Sequence, residues 1–103
     1  MKKISKAEQE LEDFEQIFWA LSHASRRHIL VVLNARGGRV SAGDIADRFS
    51  CSWPTTTRHL KVLEASGLVT TKKDGRENFY ELNKQHLGQI LDWLKWFNIG
   101  EEK

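Results

Sequence analysis

Apolar residues recur at helical spacing in five segments of this chain, with two strand-like runs before the last of them. Residues 8–21 place Leu11, Phe14, Ile17, Phe18 and Leu21 along an amphipathic helix. Ser22-His23-Ala24-Ser25 interrupts that pattern and supplies capping side chains. A second helix carries Ile29, Leu30 and Leu33 and ends near Gly37-Gly38. Ser41 is the expected N-cap of a short third helix, with Asp44 in the capping-box position and Ile45, Ala46 and Phe49 turned inward. The turn Ser50-Cys51-Ser52 leads into a fourth helix, capped by Ser52, with Pro54 in its first turn where a missing N–H costs nothing. That helix runs to about Ser66 and stops at Gly67, a natural left-handed terminator. Strands are expected at 68–72 and 77–82, joined across the Asp74-Gly75 hairpin signal. A last helix over 84–97 aligns Leu87, Ile90, Leu91, Leu94 and Phe97; Trp93 widens this stripe, and Trp96 extends it almost to the opposite side.

This order predicts one mainly α domain over residues 1–103 with a small β-hairpin, an α+β chain of four helices, two strands and a closing helix. Two helices joined by so short a turn, within 41–66, form a helix-turn-helix. The strands at 68–82, directly behind it, make a wing. The fourth helix divides by face: Thr56, Leu60 and Leu63 point inward, whereas Pro54, Thr57, Arg58 and Lys61 point outward. Hydroxyl, guanidinium and ammonium groups read base edges and hold phosphates, and the positive end of the helix dipole points the same way. Ser52 and Thr55 sit at the margin of that face. Lys72, Lys73 and Arg76 at the hairpin tip are placed to follow the backbone or reach a minor groove; the two lysines also protect a strand edge from aggregation. Trp53 either seals the turn or presses on a deoxyribose or thymine methyl. His59 leans inward and is open to packing or to base contact.

Charge sharpens this reading where totals do not. The 103 residues carry a net charge of only +2, yet Ser52–Arg76 holds five Lys or Arg against two acids, while Glu8–Glu15 holds five acids and no base. One cysteine, Cys51, excludes an internal disulfide framework and suits a reducing compartment. In the turn it fills a small apolar gap better than it serves as a redox switch. The apolar runs are too short to cross a bilayer, and no secretion-signal pattern opens the chain, so a cytoplasmic protein working at the nucleoid is expected. Neither a Ser/His/Asp set, a paired-carboxylate pocket nor a glycine-rich phosphate loop is evident, so no enzyme is expected.

Residues 21–82 resemble the ArsR/SmtB family of bacterial winged-helix repressors. Ser25-Arg26-Arg27-His28-Ile29-Leu30, the run from Ser52 to Leu63, Ala65-Ser66-Gly67-Leu68-Val69, and the wing Asp74-Gly75-Arg76 with Phe79-Tyr80-Glu81-Leu82 carry the likeness. The resemblance implies a homodimer that represses its own operon until an effector, here unknown, releases it. It also implies DNA contacts at Trp53, Thr57 and Arg58. The thiolate pair of the arsenic and cadmium sensors would fall at Ser41 and Gly43, which cannot replace it. The terminal-helix zinc site of other members would need more than His86 and Asp92, while His23, His28 and His59 look scattered. No metal or other cofactor is therefore expected, and the chain looks closer to the branch that resembles the SdpR-type autorepressors, which lack those ligands.

DNA contacts are thus expected from Ser52, Trp53, Thr55, Thr57, Arg58, His59, Lys61, Lys72, Lys73 and Arg76. Leu11, Phe14 and Phe18, with Leu87, Ile90, Leu91, Trp93, Leu94 and Phe97, are too apolar for a monomer's surface. Together they predict an isologous interface built from residues 1–21 and 84–103. Such a dimer would set two copies of helix 52–66 one DNA turn apart on a palindromic operator. A winged helix serving as a protein-interaction module, or a metal- or redox-responsive repressor of the same family, are the alternatives.

Overall fold

The computed structural model describes residues 3–49 and 52–99; Ser50 and Cys51 of the predicted turn lie outside the described residues. Helix α1 (Lys6–Leu21) starts on Ser5, whose Oγ accepts from the Glu8 amide at 3.1 Å. Helix α2 (Ala24–Arg36) starts on His23, whose Nδ1 accepts from the Ser25 amide at 3.1 Å. Strand β1 (Val40–Ser41) runs straight into α3 (Ala42–Asp47), and Ser41 caps α3 through the Asp44 amide at 3.1 Å. The sequence pattern missed β1, since two residues are too short to show alternation.

Helix α4 (Trp53–Ala65) ends in a full Schellman closure. The Gly67 amide donates to Glu64 O at 3.0 Å and the Leu68 amide to Leu63 O at 3.1 Å, with Gly67 at φ +83°. Strands β2 (Val69–Asp74) and β3 (Glu77–Leu82) pair antiparallel, and β1 completes a three-stranded sheet in the order β1-β3-β2. The wing therefore has a third strand tying it to the helix-turn-helix. Its turn also differs from the Asp-Gly expectation: Asp74 pairs with Glu77, so the central residues are Gly75 and Arg76. Only Gly75 has positive φ, the pattern of a type II′ turn.

One core joins these elements. Ile17 and Ala20 of α1, Ile29 and Leu33 of α2, Ile45 of α3 and Leu60 and Leu63 of α4 close on Val40, Leu68, Val69 and Tyr80. Phe49 packs half-buried against it.

The closing segment is not the continuous helix expected over 84–97. It divides into α5 (Lys84–Leu87), α6 (Gln89–Leu94) and a 3₁₀ turn over Lys95–Phe97, which Asn98 ends at φ +56°. Asn83 fixes α5: its Oδ1 accepts from the His86 amide at 3.2 Å, and its Nδ2 donates to Gly67 O at 3.1 Å. The change in pitch alters which residues share a side. Trp96, nearly opposite the stripe on an ideal helix, borders one groove with Leu11, Phe14, Trp93 and Phe97.

Candidate nucleic-acid interface

The outward face of α4 begins with its cap. Ser52 Oγ accepts from the Thr55 amide at 3.3 Å and donates to Thr55 Oγ1 at 3.1 Å, so both side chains shape the helix start. Behind them Trp53, Pro54, Thr57, Arg58 and Lys61 border one shallow, open depression. Trp53 is 55% exposed, yet a Cβ on Gly43 would stand only 3.6 Å from its ring. The indole thus lies along α3 with one edge and meets solvent with the other. Arg58 and Lys61 are exposed and Thr57 is half-buried. Lys72, Lys73 and Arg76 are all exposed on the wing.

One expectation on this helix requires correction. His59, included above among the DNA contacts, is only 9% exposed and faces the interior. Its Nδ1 lies 3.3 Å from Arg26 Nη1, and its ring centroid is 4.4 Å from that of His23. His23 and His59, far apart in sequence, are therefore neighbours. Burial chiefly, then the charges of His23, Arg26 and Arg58, hold the His59 pKa below the ordinary histidine value. Thr56 is 2% exposed, as its inward position predicted. Its Oγ1 has no hydrogen-bond partner among the described residues.

Arg26 was legible in the sequence only as part of a motif. It falls in step with Ile29, Leu30 and Leu33, and that register is what buries it. Arg39, not singled out above, belongs to the wing. Its guanidinium carbon lies 4.7 Å from the Phe79 ring centroid, and Nη2 lies 3.5 Å from Asp74 Oδ2. From beside β1 it therefore passes over the central strand to reach β2.

Between α1 and the closing segment, Phe14, Phe18, Trp93 and Phe97 form an aromatic ladder. Its centroid spacings are 6.4, 4.9 and 5.0 Å, the last two edge-on. Leu11, Leu91 and Phe97 are exposed and Trp96 is 81% exposed. Leu94 is half-buried. Leu87 and Ile90, predicted for the interface, pack partly buried against their own core instead.

No three His, Cys, Asp or Glu side chains gather as a metal site among the described residues. Ser41 and Gly43 are occupied locally, one as a cap and one beneath Trp53. His86 lies against Gly67, with Nδ1 3.2 Å from Gln89 Nε2. Among the described residues no helix is long and apolar enough to cross a membrane.

Comparison with known proteins agrees with this geometry. A helix-turn-helix domain family matches residues 21–72. The transcriptional repressor SdpR of Bacillus subtilis is 35% identical over 86 residues, covering 82% of this chain and 93% of that protein. An arsenical resistance operon repressor of Staphylococcus aureus is also 35% identical, over 89% of this chain and 86% of its own length. The solution structure of a homodimeric winged helix-turn-helix DNA-binding domain from Mycobacterium bovis superposes with a TM-score of 0.70. It covers 100% of this chain and 94% of that one at 19% identity, a likeness of fold. Helix order, wing and relatives agree: the chain belongs to the ArsR/SmtB family of winged helix-turn-helix transcriptional repressors.

Proposed function

We propose that this chain is a non-enzymatic, homodimeric repressor that binds a palindromic operator in the cytoplasm and controls its own promoter. Helix α4 enters the major groove with Thr57 and Arg58 at the base edges and Lys61 on phosphate. Trp53 rests on sugar or a thymine methyl, Ser52 and Thr55 lie beside the entering strand, and Lys72, Lys73 and Arg76 follow the backbone or minor groove. The observation that carries this reading is the split of α4. Leu60 and Leu63 are sealed in the core, while Trp53, Pro54, Thr57, Arg58 and Lys61 share one open surface. Polar and basic groups at the amino-terminal half of an exposed helix have the chemistry to read DNA.

The second copy follows from the apolar side. Leu11, Leu91, Trp96 and Phe97 are exposed together on a molecule only 22 Å thick in its smallest dimension. Self-pairing through α1 and the closing segment removes them from water, and the Mycobacterium bovis domain of this fold is a homodimer.

Binding to a duplex from the chain's own upstream region, titrated with salt, tests the proposal. Affinity should fall with a log–log slope near −0.9 per phosphate contact. Arg58→Ala should cost about 1–3 kcal/mol and relax preference at one base position. The double change Lys72→Ala/Lys73→Ala should instead lower the salt slope. Unchanged binding by both variants would refute the proposed DNA face.

A further inference from the structure

Arg26 is a charged side chain at a position whose helical register calls for a leucine. It is 6% exposed, and no carboxylate pairs with it among the described residues. Its charge is met otherwise. Nε donates to Ala20 O at 2.7 Å and Nη2 to Trp19 O at 3.1 Å, both in the last turn of α1, the negative end of that helix. The guanidinium carbon also lies 5.5 Å from the Trp19 ring centroid. The remaining contact, Nη1 at 3.3 Å from His59 Nδ1, reaches the middle of α4. A guanidinium only donates, so Nδ1 is the acceptor and the ring proton sits on Nε2.

We infer that Arg26 and His59 are positioning residues for the recognition helix, joining the last turn of α1 to α4 only while the His59 ring is neutral. The inference rests on the DNA reading of α4. It makes α4's placement depend on the helix that carries half of the proposed dimer face.

A proton on His59 Nδ1 removes the acceptor and sets an imidazolium against a buried guanidinium. The titratable and charged groups that face this ring are the His23 imidazole from the α1–α2 turn, Arg26 from α2 and Arg58 from its own helix. All three are basic, so nothing nearby welcomes the added charge. Burial and these neighbours lower the His59 pKa, so the link is intact at pH 7.5 and opens as pH falls through the lowered value. Below it, each protomer must release one proton to bind, which weakens affinity by up to about tenfold per pH unit per protomer. A positive charge gained at the DNA-facing surface would act in the opposite sense, because it attracts phosphate. The sign of the pH profile therefore separates the two effects.

The test is fluorescence anisotropy of the full chain on the upstream duplex from pH 7.5 to pH 5.5, at constant salt. Wild type should weaken once pH falls below the lowered His59 value, by up to about tenfold per pH unit per protomer. His59→Asn offers its side-chain oxygen where Nδ1 stood; it should bind within about threefold of wild type at pH 7.5 and stay flat or tighten at pH 5.5. Wild-type binding that tightens in acid, or that stays flat through the pH at which the His59 ring titrates, or a His59→Asn profile that weakens with it, would overturn the inference. A second measurement needs no DNA: imidazole nitrogen NMR of the free protein. Nδ1 of His59 should be unprotonated at pH 7.5 and titrate below 6.5, the ordinary histidine value. An Nδ1–H tautomer, or titration at or above 6.5, overturns the pairing whatever the DNA result. Absence of binding at every pH, with the NMR as expected, refutes the DNA reading and keeps the Arg26–His59 pairing.

Discussion

Gly67→Ala should damage the junction between recognition helix and wing, at a cost that the structure resolves into two parts. The first is backbone strain. Gly67 sits at φ +83°, and a residue with a Cβ in the left-handed region costs about 1–2 kcal/mol. The second is steric: the added Cβ would lie 2.8 Å from both Cδ2 and Nε2 of His86. The ring must move, and moving it disturbs the 3.2 Å contact to Gln89, a neutral hydrogen bond contributing about 1 kcal/mol. The sum is about 2–3 kcal/mol. For a domain of this size each kcal/mol lowers Tm by about 4–8 °C, so a fall of about 8–24 °C is expected. Thermal unfolding at fixed protomer concentration measures it, because a dimer's Tm depends on concentration. His86→Ala makes room for the new methyl but leaves the backbone strain. A double-mutant cycle should therefore show a coupling of about 1 kcal/mol. A Gly67→Ala protein within about 0.5 kcal/mol of wild type would refute the strain argument. A cycle with no coupling would refute the His86 contact.

Three further outcomes follow from single side chains. Thr56→Val removes a buried hydroxyl that has no partner among the described residues and should stabilise by about 1 kcal/mol in denaturant melts. Because Thr56 faces inward, operator affinity should not change. Tyr80 is buried, and burial first, then the Glu64 charge, raises its pKa above the usual 10. The unfolded chain therefore loses that proton first, so stability should fall as pH rises through 10 toward the raised value, and Tyr80→Phe should flatten that part of the profile. The Arg39–Asp74 pair is exposed and contributes at most about 1 kcal/mol to stability. Arg39→Ala should nevertheless weaken operator binding by several-fold, because an unpaired Asp74 near the wing tip repels phosphate, and Asp74→Asn should restore it in a gel shift.

Local chemistry made much of the fold legible before any coordinates. The serines at 5, 41 and 52 all cap helices, but only Ser41 and Ser52 were predicted as caps, because Ser5 precedes the region where apolar periodicity begins. Gly67 carries its own conformational signature. The outward residues of α4 followed from period alone. Three things were illegible for physical reasons. A two-residue strand has no alternation to detect. A helix that breaks into short pieces keeps its hydrophobic composition while losing phase, which is why Trp96 joined the apolar groove. The contact between Arg26 and His59 spans 33 residues, and neither position announces a polar partner inside the core.

That last contact bears on how so small a chain can couple two surfaces. The apolar face of α1 and the polar face of α4 belong to different helices, and hydrophobic packing alone leaves their relative rotation loosely specified, since Leu and Ile contacts are non-directional. A guanidinium has a fixed fork and fixed donor directions. By holding two carbonyls of α1 with one edge and a ring nitrogen of α4 with another, Arg26 converts a packed contact into a set angle. A leucine at that position would pack with no desolvation penalty and would often stabilise the fold, since buried ions are costly to keep. What it could not supply is direction. The proposed dimer, with two helices one DNA turn apart, would need that angle more than it needs the extra stability.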